Sequence, residues 1–119
     1  MSSAEKVFRE ALGAFNTRKY DDAERLFRKF LKSHPSHIGA LNLLTVILMA
    51  MERFAEAEPF IARAVKLNQD SDVSFYNYGI ILKALDKPQQ ALEQFDNALR
   101  LNSKAPETWN NRGTIYNVL

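Results

Sequence analysis

An all-α solenoid of antiparallel helix pairs is the fold this 119-residue sequence predicts, and three observations carry the prediction. Apolar residues recur every three or four positions in segment after segment, the signature of helices with one buried face. A shift of 34 residues reproduces the pattern, carrying Phe75 onto Trp109, Gly79 onto Gly113 and Leu82 onto Tyr116. A period of that length marks stacked supersecondary units, none of which buries its outer face alone. Glycine and proline number four each and no stretch is low in complexity, so no linker divides the chain.

The clearest unit is residues 72–105. Phe75, Tyr78, Gly79 and Leu82 share one helical face, and Ala91, Leu92, Phe95 and Ala98 share another. Asp86, Lys87 and Pro88 separate them. A second helix is expected to begin near Pro88, because proline's missing N–H has no intrahelical partner in a first turn. Small residues, Gly79 against Ala91 and Ala98, are expected to bring the two backbones close. Shifted backward, Phe75 falls on Leu41, and Ala91, Phe95 and Ala98 fall on Ala57, Ile61 and Ala64. A further shift gives Val7, Ala23, Phe27 and Phe30. The expected organisation is a single domain over residues 1–119, with units 4–37, 38–71 and 72–105 followed by a half unit, 106–119.

In chain order, Ser2 and Glu5 offer a capping box for a first helix that runs to about Asn16. Asp21 or Asp22 opens the second, which ends near Ser33 ahead of Pro35. The next pair is expected near 38–51 and 55–67, with a turn at Arg53 and Phe54. Pro59 marks an irregularity, since it lacks a helical N–H. Asn68 and Asn102, equivalent positions after Leu67 and Leu101, are expected to cap helix C-termini in left-handed geometry. The half unit supplies one helix and reaches Asn117-Val118-Leu119. Ile115, Val118 and Leu119 do not make the polar cap of a solenoid end. The expectation is an N-terminal piece of a longer array, with self-association through the exposed C-terminal helix.

These residues resemble the tetratricopeptide repeat, whose pattern places Trp, Leu, Gly and Tyr in a first helix, then Ala, an aromatic, Ala and Pro in the second and its exit. Trp109–Gly113–Tyr116, Gly79–Ala91–Phe95–Ala98 and Ala23–Phe27–Pro35 match that spacing, and the resemblance covers nearly the whole chain. It implies a right-handed superhelix with first helices lining the concave side. The departures are Ala11 and Thr45 at the glycine position, Phe30 at the second alanine position, and Gln69 and Ser103 where the first unit has Pro35. Phe30 is bulky where helices usually touch, so the first hairpin is expected to splay.

Composition narrows the function. Without cysteine there is no disulfide, thiol nucleophile or thiolate metal site, and a cytoplasmic location is favoured. The N-terminus lacks the apolar run of a secretory signal. The longest apolar stretch, Leu43–Met51, is too short to cross a bilayer, so no membrane partner is expected. Residues 1–37 hold eight Lys/Arg against five Asp/Glu, and Arg25, Arg28, Lys29 and Lys32 form a stripe. No aromatic residues interleave with it to stack bases, so nucleic acid is a minor reading. His34 and His37 flank Pro35 without a third ligand close in sequence, and no metal or cofactor is expected. The carboxylate pairs Asp21–Asp22 and Glu56–Glu58 sit at solvated helix starts, no G-x-S-x-G motif occurs, and the glycines are too scattered for a phosphate loop. No enzyme activity is expected.

A binding surface remains. The resemblance places Phe8, Arg9, Leu12, Phe15 and Asn16 on the concave face, then Asn42, Leu43, Val46 and Met49. The third unit adds Tyr76, Asn77, Ile80 and Lys83, and the fourth Asn110, Asn111 and Thr114. Phe8, Leu12, Asn42, Val46, Tyr76, Asn77, Ile80, Asn110 and Asn111 are the expected partner-binding residues. They make an apolar-aromatic groove with amide edges, suited to a peptide or a partner helix. Chaperone-binding members of the family grip a C-terminal carboxylate with Lys and Asn at the fifth and ninth positions of their first repeat, where this chain has Phe8 and Leu12. O-GlcNAc transferases carry asparagines at the sixth position; Asn77 and Asn111 match that ladder, Leu43 and Arg9 do not. The leading expectation is a non-catalytic protein-binding scaffold. The alternatives are a substrate-recognition arm of a larger enzyme such as a glycosyltransferase, and nucleic-acid binding through the basic first unit.

Overall fold

The computed structural model describes residues 2–118. They form seven helices: α1 (Ser3–Asn16), α2 (Tyr20–Ser33), α3 (Ile38–Ala50), α4 (Phe54–Leu67), α5 (Asp72–Ala84), α6 (Pro88–Leu101) and α7 (Pro106–Val118). Each packs on the next, and α3 also reaches α5 as α5 reaches α7. The even-numbered helices make no contacts of similar extent with one another, so the stack curves with its odd helices inside. Extents of 49 × 25 × 21 Å and a radius of gyration of 15.0 Å describe an elongated body. A spherical domain of this length would have a radius of gyration of about 13.5 Å.

Two devices recur at the helix ends. The odd helices α1, α3 and α5 begin on side-chain caps: Ser2 Oγ accepts from the Glu5 N–H at 3.1 Å, His37 Nδ1 from Ala40 at 3.0 Å and Ser71 Oγ from Ser74 at 3.2 Å. The odd-to-even turns are three copies of one geometry. Lys19, Arg53 and Lys87 each donate a backbone N–H to the carbonyl five residues back, on Ala14, Leu48 and Leu82. The residue just before each of them, Arg18, Glu52 or Asp86, has φ of 60°, 58° or 59°. That is the Schellman arrangement, with the left-handed position held by a residue other than glycine. Asn68 and Asn102 differ from the sequence expectation. Their φ values are −141° and −143°, so the exits from α4 and α6 are extended rather than left-handed. Asn68 Oδ1 instead accepts the Asp70 N–H at 3.0 Å, and Asn102 Oδ1 that of Lys104 at 3.3 Å.

The core passes without a break from the first unit into the third, and divides there. Phe27, Leu41, Leu44, Ile47, Leu48, Ile61 and Ile81 are fully buried in one cluster, and Leu82, Ala91, Phe95 and Ile115 form a second beneath α7. Gly79 is met by the Phe95 ring rather than by alanines: a Cβ there would lie 2.5 Å from Phe95 Cε1. In the second unit Thr45 takes the glycine position and donates its hydroxyl to the Leu41 carbonyl at 2.8 Å, which satisfies a fully buried polar group. Phe30 does not splay the first hairpin. It is 6% exposed and closes the end of the core, 5.0 Å from the ring centroids of Phe8 and His37 and stacked at 4.6 Å on His34.

Ion pairs tie units together along the rim. Glu24 of α2 accepts from Arg53 at 2.5 Å, and Glu58 of α4 from Lys87 at 2.8 Å, the same positions one unit later. Leu92 occupies the next step of the series. Arg53 also binds Glu56, and Arg28 pairs with Glu24 at 2.9 Å while lying over the Phe60 ring. The hydrogen bond from Arg53, ahead of burial and of Arg28, sets the direction for Glu24 and holds its carboxyl below the ordinary range.

Candidate partner-binding surface

The inner side of the curve carries a polar cluster where α5 meets α7. Asn111 Nδ2 donates to the Tyr76 hydroxyl at 3.2 Å and to the Glu107 carbonyl at 2.9 Å. Lys83 Nζ donates to Asn111 Oδ1 at 3.2 Å and to Thr114 Oγ1 at 2.9 Å. The tyrosine ring below is fixed against Phe95 at 6.0 Å. Asn77, next to Tyr76 and half-buried, stands outside this network. One amide is therefore locked in orientation, and its counterpart in the preceding unit makes no side-chain hydrogen bond among the described residues.

The other expected residues are less free. Asn42 Oδ1 accepts from the Ser74 hydroxyl at 3.2 Å and helps join α3 to α5. Phe8 is half-buried, its ring 5.8 Å from Phe27 and 5.0 Å from His37. Leu12 and Ile80 are half-buried against the two core clusters, whereas Val46 is 36% exposed and Asn110 is exposed. Tyr76 and Asn111 are thus brought together, Asn77 follows Tyr76 on α5, and Phe8 lies at the far end of the stack. There a cleft of about 360 Å³ is lined by Glu5, Phe8, Arg9, Phe30, His34 and His37, among others. Both imidazoles have local roles: His37 caps α3, and His34 Nδ1 lies 2.9 Å from Ser33 Oγ. Among the described residues no three His, Cys, Asp or Glu side chains gather to hold a metal ion, and no helix is long and apolar enough to cross a membrane. Of the basic stripe, Arg28 is paired, and Arg25 lies 4.0 Å from Asp22.

The half unit differs from its sequence expectation. Ile115 is 1% exposed, packed into the cluster of Leu82 and Phe95, so it is not part of an uncovered end. Leu119 and the Val118 side chain lie outside the described residues. The exposed face of α7 belongs instead to Trp109 and Tyr116, 50% and 52% exposed. Arg112 lies between them, its guanidinium 5.8 Å from the Trp109 ring and 4.9 Å from that of Tyr116. Asp96 of α6 accepts from Arg112 at 2.6 Å and stabilises its charged form.

The family model of the TT21 fifth ARM repeats domain matches residues 11–116. The chain belongs to that family, a tetratricopeptide-type repeat domain. The repeat is 29% identical over 86 residues to human tetratricopeptide repeat protein 7B, covering 72% of this chain and 10% of that protein. It is 28% identical over 97 residues to the UDP-N-acetylglucosamine--peptide N-acetylglucosaminyltransferase of Giardia intestinalis, covering 82% of this chain and 7% of the enzyme. The chain thus spans a small part of these relatives' lengths. Among solved structures it superposes on YrrB, described as a TPR protein with an unusual peptide-binding site, with a TM-score of 0.93 at 22% identity over 98% of this chain and 60% of that one. The first TPR domain of Spaghetti (RPAP3), bound to the HSP90 peptide SRMEEVD, superposes with a TM-score of 0.87 at 23% identity, covering 97% and 91%. These likenesses establish the repeat fold.

Proposed function

We propose that this repeat domain is a non-catalytic protein-interaction module that holds an extended peptide along its inner face. The observation that carries the reading is the α5–α7 cluster, in which Tyr76 and Lys83 orient Asn111 beside the uncommitted amide of Asn77. The Asn77 amide offers an extended backbone both a donor and an acceptor irrespective of side chains, whereas Asn111, its two N–H groups held by Tyr76 and Glu107, keeps only acceptor capacity on Oδ1. Val46 and Ile80 supply apolar contact beside them. The peptide-bound Spaghetti (RPAP3) domain of the same fold supports the reading.

The test is a peptide selected on the immobilised chain from a random displayed library. Asn77→Ala should weaken its binding about fivefold, the loss of one hydrogen bond worth about 1 kcal/mol, with helicity unchanged. Unaltered affinity would remove Asn77 from the site. The peptide SRMEEVD should show no saturable binding, because Phe8 and Leu12 stand where its family receptors have Lys and Asn; micromolar binding would contradict that assignment.

A second reading follows from the likeness to the Giardia transferase together with Asn77 and Asn111 at equivalent positions. Here the domain is the substrate-recognition arm of a larger glycosyltransferase, its residues still non-catalytic. A catalytic domain elsewhere in the same reading frame decides for it; further repeats alone decide against it.

A further inference from the structure

On the outer side of the curve, α2 and α4 part to leave a groove of about 280 Å³ lined by Arg28, Leu31, Lys32, Phe60 and Arg63. Its floor is apolar: Leu31 is 7% exposed and Phe60 half-buried. Its charge is one-sided. Lys32 and Arg63 are exposed and join no ion pair among the described residues; Arg63 Nη1 donates to the Pro35 carbonyl at 3.5 Å. No acidic residue lies one helical turn before or after either of them. Arg28 lies 5.2 Å over the Phe60 ring and is paired with Glu24, a carboxylate already shared with Arg53. The next furrow, between α4 and α6, has Ala62, Val65, Lys66, Gln94 and Asn97 at the same positions, with one cation and no ring. The cationic groove is therefore a property of the first seam and not of the repeat. Both of its walls are second helices of complete hairpins, and further units at either end of the array would stack on hairpin faces without crossing it.

We propose that this groove docks an acidic segment of a partner protein, with one aliphatic side chain seated on Leu31 and Phe60 and the carboxylates on either side of it paired with Lys32 and Arg63. Charge complementarity selects the occupant. Long cationic side chains that border an apolar floor lay their stems along it and keep their heads in water, where an arginine takes a carboxylate through two parallel N–H donors. Basic clusters are a recurring means of recognising acidic motifs. A nucleic-acid strand would meet the same cations through its phosphates alone. Phe60 is a lone, half-buried ring already faced by Arg28, which is no platform for successive bases. The groove lies between even helices and the Asn77 and Asn111 surface on odd ones, so it stands or falls apart from the inner-face reading.

The probe is the peptide EEDLDEE, labelled with fluorescein and followed by polarisation. It should bind saturably at low ionic strength and weaken as salt is added. Lys32→Gln together with Arg63→Gln should weaken binding roughly tenfold, the loss of two partly exposed ion pairs. Both side chains are exposed, so helicity and melting should stay unchanged. Arg100→Gln together with Lys104→Gln removes the same charge in the third unit and should leave the affinity within about twofold. Serine in place of the peptide's leucine should weaken binding about fivefold, through the apolar contact it loses. No saturable binding, an equal loss from the two pairs of substitutions, or indifference to the serine overturns the proposal. So does an oligothymidylate of equal charge that binds more tightly than the peptide, because the occupant would then be a nucleic acid.

Discussion

Replacing Gly79 with alanine adds one methyl group where the structure has no room for it. In an open helix the change is favourable by up to about 1 kcal/mol, because alanine loses less backbone entropy than glycine. At Gly79 the new Cβ would meet three atoms of the Phe95 ring, the nearest at 2.5 Å, and that ring is fully buried. A buried ring without a free end moves only with its neighbours, and overpacking of this kind costs about 1–3 kcal/mol. The balance is a net loss of about 1 kcal/mol, or about 4 °C in Tm for a chain of this size. Gly113 is the internal control. It holds the same repeat position with nothing within 4 Å, so Gly113→Ala keeps the propensity gain without the clash. The two variants should move in opposite directions in urea titrations followed by far-UV circular dichroism, separated by about 2 kcal/mol. If Gly79→Ala is as stable as the parent, the close approach of α5 and α6 is not the constraint described.

Two more perturbations test other parts of the fold. Glu52→Gly places a residue without Cβ at φ 58°. It should raise the urea midpoint by about 1 kcal/mol of stability, since left-handed geometry costs other residues roughly that much; a lowered midpoint would mean that the turn is held by the Glu52 side chain. Glu24 and Glu56 are both pulled below the ordinary carboxylate value of 4.5, each chiefly by a hydrogen bond from Arg53. A depressed folded-state pKa gives stability that is present above the unfolded value and lost as pH falls through the folded one. The urea midpoint should therefore fall as pH drops below about 4.5, and Arg53→Ala should flatten that fall; equal slopes would detach the carboxylates from Arg53.

The repeat was legible because it is written in apolar spacing, which survives any choice of surface residues. That spacing located all seven helices to within a residue or two. What it did not reveal depends on geometry that residue type leaves open. Arg18, Glu52 and Asp86 carry no glycine to advertise a positive φ, and only their 34-residue spacing marks them as equivalent. Asn68 and Asn102 are types that suit left-handed caps, yet the chain leaves those helices extended, toward the next unit. Ile115 reads as an exposed apolar residue near the terminus, but it adjoins Tyr116, about 100° round the helix from that outward-facing side chain, and packs into the cluster beneath. On the inner face, the family resemblance places Asn77 and Asn111 at equivalent positions, whereas the bond from Asn111 to Tyr76 joins residues 35 apart, a pairing that repeat spacing does not disclose.

The paired series Glu24–Arg53 and Glu58–Lys87 gives the array a mechanical character. Neighbouring hairpins are clamped along their length by apolar packing, which salt scarcely alters, and at the rim by partly exposed charges, which a Debye length of about 8 Å at physiological salt screens. Such a joint bends about its packed edge and is latched at its charged one. Raising ionic strength is expected to loosen the latches of the first two joints and let the coil relax, so that the pitch of the superhelix, and with it the spacing of everything displayed on its inner side, follows the salt around it.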